Sequence, residues 1–129
     1  MLRDNHAFSG YSINNLDEAE KFYSERLGLD VEKDEMGLSL KLAGGNNVFL
    51  YPKENHEPAT FTVLNFEVDD IDQAIEDLSA RGVNFIHYGE ELGMPQDEKG
   101  VVRGREAHMG PDIAWFNDPA GNTLAILQE

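Results

Sequence analysis

"INNLDEAEKFYSERLGLDV", residues 13–31, is a helix with its start and its stop written into it. Asn15 has the short polar side chain that caps a helix N-terminus, Glu18 follows three places on as in a capping box, and Gly28 supplies the stop. Between them Leu16, Ala19, Phe22, Tyr23 and Leu27 fall on one helical face. Fifty-five residues later the plan recurs. In "VDDIDQAIEDLSARGVNF", residues 68–85, Asp70 is the cap, Gln73 lies three on, and Gly82 ends the run. Ile71, Ala74, Ile75 and Leu78 make its apolar stripe. Two helices of one design at a fixed offset point to an internal duplication.

The flanks repeat as well. Each helix is preceded by a strand pattern, "AFSGYSIN" (7–14) and "FTVLNFEV" (61–68). In the first half "LDVEKDE", "GLSLKLA" and "NNVFLYP" follow; in the second, "VNFIHY" (83–88), "DIAWF" (112–116) and "TLAILQ" (123–128). The chain therefore reads as strand, helix and three strands, twice over, an α+β plan, with "KENHEPA" (53–59) as the linker. One domain over residues 1–129 is expected, with modules of about 1–58 and about 59–129. Between "DIAWF" and "TLAILQ", Asp118, Pro119 and Gly121 fill the first, second and fourth places of a type I turn, which makes a hairpin. Residues 87–112 are too long for an ordinary hairpin connection and rich in glycine and charge. That segment is expected to order over an occupied site.

Composition narrows the function classes. The chain has no cysteine, which excludes disulfides, thiolate metal sites and cysteine nucleophiles. A net charge of −15 works against nucleic-acid and anionic membrane partners and leaves neutral or cationic small molecules. "MLRDNHAFSG" lacks the apolar run of a signal peptide and nothing downstream approaches a membrane span, so a cytoplasmic location is expected. The glycines of "AGGNN" and "YGEELG" make no phosphate loop, since neither has the GK[ST] ending.

The doubled plan, the "FYSERLGL" helix end (22–29) and "WFNDPAGN" (115–122) before a short apolar strand resemble the vicinal oxygen chelate superfamily. That group comprises glyoxalases, bleomycin-resistance proteins and extradiol dioxygenases. The resemblance implies paired βαβββ modules whose mixed sheets curl into a cup with the helices outside, and commonly a homodimer. It also implies that metalloenzyme members draw one ligand, often His, from each first strand and one, often Glu, from each last strand. Carried onto this chain, the first-strand positions are Phe8 and Val63; the last-strand positions are Ala125 and either Phe49 or Leu50. None of these side chains binds a metal. Slipping the register by two pairs His6 with Phe61, or Gly10 with Asn65; slipping further pairs Ser12 with Glu67. No single register arms both first strands. A member without the usual metal ligands, and with no cofactor, is the expectation.

Strand parity then puts Tyr11, Ile13, Leu64, Phe66 and Val68 against the helices, and Phe8, Gly10, Ser12, Asn14, Val63, Asn65 and Glu67 toward the cup. Trp115, Tyr51 and Phe8 suggest an aromatic ligand wall, with Ser12, Val63, Asn65 and Ala125 as further lining; Trp115 in a small barrel is also an ordinary core residue. Glu67 is the candidate general base, on the argument that a partly apolar wall would desolvate it; its rival reading is a solvated rim carboxylate. His108 and His87 bracket the long segment as acid, base or ligand, or as plain loop residues. Arg103 and Arg105 could bind a ligand carboxylate, or pair with the many acids nearby. His6 and His56 read as solvated residues of a strand start and a polar linker. Three classes follow: a metal-free small-molecule binder, a metal-dependent lyase, isomerase or dioxygenase, and a metal-independent enzyme using Glu67.

Overall fold

Both helix starts form as their side chains dictate. Asn15 Oδ1 accepts the Glu18 amide at 3.0 Å, and Asp70 Oδ1 accepts the Gln73 amide at 3.1 Å. The structure is a computed structural model and describes residues 1–89 and 93–129; Glu90, Glu91 and Leu92 of the long segment lie outside the described residues. The chain divides into two units, Met1–Glu57 and Pro58–Glu129.

In the first unit, β1 (Ser9–Ile13) leads to α1 (Leu16–Lys21), which continues into a π-helical turn, Phe22–Arg26. There follow β2 (Asp30–Lys33), β3 (Leu38–Lys41) and β4 (Asn47–Pro52), in a sheet of order β1-β4-β3-β2 with β1 parallel to β4. The second unit repeats this with β5 (Thr62–Glu67), α2 (Ile71–Ala80), β6 (Val102–Arg103), β7 (Asp112–Asn117) and β8 (Thr123–Gln128). Its order is β5-β8-β7-β6, with β5 parallel to β8. The fold is α+β, two βαβββ modules of one layout. Apolar burial sits between each helix and its sheet. Ile13, Tyr23, Leu38, Leu40 and Leu50 are fully buried in the first unit, and Tyr11 reaches Tyr23 hydroxyl to hydroxyl at 2.7 Å. Ile71, Phe116 and Leu124 do the same work in the second.

One expected strand does not form. "VNFIHY" makes a single bridge, Phe85 to Phe116, and one further bond from the Ile86 amide to the Trp115 carbonyl. The strand that completes the second sheet is β6, from inside the long segment, paired with β7 at Asp112 and Ile113. The edge of β7 is thus shared by two short pieces of chain. A side chain replaces the lost strand partner: Gln96 accepts from the Tyr88 amide at 2.7 Å and donates to the carbonyls of Ile86 and Gly100.

The 118–122 turn closes as expected, with the Gly121 amide on the Asp118 carbonyl and Gly121 at φ 83°. Asp118 Oδ1 also accepts the amides of Ala120 and Asn122, and buried Asn122 takes the Ala59 amide on its own oxygen. The motif therefore ties the β7–β8 turn to the entry of β5.

Candidate functional site

Residues paired across neighbouring strands share a sheet face. In the second module Asn65, Ala125 and Trp115 form one such row across β5, β8 and β7. Glu67, Leu127, Ile113 and Val102 form the next, on the same face. Ala125 is fully buried, Trp115 half-buried, and Asn65 and Glu67 are exposed. The indole N–H of Trp115 donates to Thr62 Oγ1 at 3.2 Å, and the Tyr88 ring meets the indole edge-on at 5.7 Å between centroids. These contacts hold a broad aromatic surface beside the small methyl of Ala125. Val63 lies where the β5 register shifts, so Ala125 has Asn65 as its β5 neighbour.

The first module carries the matching row Gly10, Phe49 and Ser39. This register makes Phe49, rather than Leu50, the counterpart of Ala125. Phe49 stacks on Tyr51 with centroids 6.3 Å apart and 20° between planes. Tyr51 is paired with Ser12, and Ser12 Oγ lies 2.7 Å from His56 Nδ1. Phe8 precedes β1 and is 66 % exposed.

Sequence reasoning missed the partnership of His56 with Ser12. Forty-four positions separate the two residues and no local pattern links them; the end of β4 brings the linker back beside β1.

The two rows do not fit a divalent ion. They offer an amide, a methyl and an indole in one module, and a hydrogen, a phenyl and a hydroxyl in the other, where such an ion needs converging imidazole or carboxylate donors. Among the described residues no group of three or more His, Asp or Glu side chains is placed to hold one.

Arg103 belongs to the other face. It pairs with Asp112, and Asp112 with Gln128, whose side chain accepts the Ile71 amide at the start of α2. Its guanidinium grips Asp72 of α2 with two bonds, 2.7 and 3.1 Å, and donates from Nε to Asp97 at 2.9 Å. Of its two sequence readings, pairing with nearby acids is the one this geometry supports. The Arg103 and Lys99 hydrogen bonds hold the Asp72 carboxyl well below the usual carboxylate range. The Arg105 side chain is exposed while its amide donates to Asp112. His87 lines a cavity of about 550 Å³ with Met94, Pro95 and Gln96. His108 is exposed in a left-handed turn, φ 53°.

A family model, the glyoxalase/bleomycin resistance protein/dioxygenase superfamily, matches residues 5–126. The chain belongs to that superfamily. Solved structures share the fold of this superfamily member at low identity. A glyoxalase family protein from Enterococcus faecalis is 20 % identical with a TM-score of 0.68, over 98 % of this chain and 99 % of that one. TnmS3, an antibiotic binding protein from Streptomyces sp. CB03234, is 22 % identical at 0.64, over 97 % of each. The fosfomycin resistance protein FosX from Listeria monocytogenes is 12 % identical at 0.68, over 98 % and 93 %. No curated protein matches this superfamily member. Among its described residues no helix is long and apolar enough to cross a membrane.

Proposed function

We propose that this superfamily member is a cytoplasmic small-molecule-binding protein that works without a catalytic divalent metal and takes a partly apolar or aromatic ligand. The observation that carries this reading is the row Asn65–Ala125–Trp115. At the last-strand position where the resemblance implies a metal-binding carboxylate, the second module has a methyl group with a fixed indole beside it. The half-buried indole gains free energy from apolar area covered by a ligand, roughly 25 cal/mol per Å² before association costs, while the fully buried Ala125 beneath that face brings no carboxylate to it. Asn65 and Glu67, exposed on the same face, supply the polar groups that orient a ligand. The charge of −15 speeds encounter with cationic molecules. Antibiotic binding by TnmS3, which has the same fold, makes natural-product antibiotics the first compounds to try.

Trp115 is the only tryptophan, so its emission reports on this face alone. Titration with aromatic and cationic antibiotics is expected to change that emission saturably, and Ala125→Glu to abolish the response by placing a charge beside the indole. Zinc, nickel, manganese and iron(II) are expected to leave thermal stability unchanged. Tight stoichiometric metal in purified untagged protein, lost when His6 or Glu67 is replaced, would replace this reading with that of a metalloenzyme.

A further inference from the structure

A second cavity, of about 540 Å³, lies within the long segment of the second module. Val101 and Val102, both buried, line it together with Met94, Ala107 and Met109. Its walls are held by hydrogen bonds within the chain. Gln96 bonds Tyr88, Ile86 and Gly100, while Asp97 Oδ1 accepts the amides of Lys99 and Val101. A preformed cavity of this size suits a small organic molecule and loses little ordering entropy on filling.

Its charge selects the sign of the occupant. The lining carries two acids, Asp97 and Glu106, and one base, Arg103. Arg103 already donates to Asp72 and Asp97, so an incoming anion would compete with two carboxylates in place. Glu106 is exposed at the cavity, and the thioethers of Met94 and Met109 are polarizable and adapt to irregular shapes. We infer that the cavity between Met94, Val102, Glu106 and Met109 is a binding site for a small organic cation with an apolar body, such as a quaternary ammonium. Val102 shares its sheet face with Trp115 one row away, but none of Asn65, Ala125 and Trp115 lines this cavity, so the inference does not depend on that reading.

The chain has four methionines, two in this cavity and two, Met1 and Met36, in the other unit. The experiment labels methionine methyls with ¹³C, assigns them with Met94→Leu and Met109→Leu, and titrates benzyltrimethylammonium, benzyl alcohol and benzoate while recording Trp115 emission. Expected are saturable shifts of the Met94 and Met109 signals with the cation, weaker shifts with the alcohol, none with benzoate, and still signals from Met1 and Met36. Glu106→Gln should weaken the cation about two- to fivefold, the range for one partly exposed charge pair, and Ala107→Trp should block it. Equal shifts with benzoate, shifts of all four methyls, or no methyl shift at all would overturn the site. A change in Trp115 emission with unmoved methyls would also overturn it, while leaving the proposed sheet-face site standing.

Discussion

Arg103 donates to Asp72 of α2 and to Asp97 of the long segment, and lies 3.7 Å from Asp112 of β7. Arg103→Leu leaves those three carboxylates facing one another. We expect a loss of about 1–2 kcal/mol in urea unfolding, toward the low end of the charged hydrogen-bond range because the pair is partly solvated. Asp72 gives a pH signature. It titrates lower folded than unfolded, so its contribution is complete above the ordinary aspartate value, about 3.9, and fades as pH falls toward its depressed folded value. The stability difference between wild type and Asp72→Asn should therefore be flat from about pH 8 to about pH 5 and shrink below about pH 4. A difference that grows on acidification would contradict the arrangement. Sequence alone left Arg103 with two readings, because strand parity cannot tell which face a residue of an unrecognised strand takes.

At the scale of elements, the helices were legible because caps, stripes and glycine stops are local chemistry, acting within a few residues. Seven of the eight strands among the described residues followed from alternating or apolar runs in the same way. β6 did not: it is two residues long and owes its existence to partners nine and eleven positions away on β7. "VNFIHY" has the alternation of a strand, yet Gln96 takes over its backbone partners at Tyr88 and Ile86. This bears on the expectation that residues 87–112 order only over an occupied site. The Tyr88, Gly100 and Val101 amides are bonded within the chain, to Gln96, to the Asp97 carbonyl and to the Asp97 carboxylate. Hydrogen exchange should accordingly show these three protected, together with Met109, whose amide is bonded to the Gly104 carbonyl at 2.8 Å, and the exposed residues Glu106 and Ala107 exchanging faster. Fast exchange throughout would restore the picture of a segment that orders on binding.

For the whole molecule, we propose assembly as a homodimer, motivated by the family resemblance and by the small core available to a chain of this length. Light scattering at micromolar concentration is expected to return twice the 14.4 kDa chain mass. A value equal to the single chain would refute it. Acidic charge of this size disfavours non-specific self-association, so a measured dimer would reflect a specific surface.

What could be read from residue order was governed by near neighbours: two capped helices, their offset and the 118–122 turn; that Ala125 stands where a carboxylate would serve a metal is what the family resemblance implies. Asn122 was legible as part of a turn but not as the acceptor of the Ala59 amide, because a hydrogen bond across sixty-three positions has no local trace. The partnership of Ser12 with His56, the choice of Phe49 over Leu50, the turning of Arg103 toward α2 and the substitution of Gln96 for a strand all needed the tertiary structure. Each depends on which strands lie side by side, and in what register, and a one-residue slip in that register would send every side chain to the opposite face.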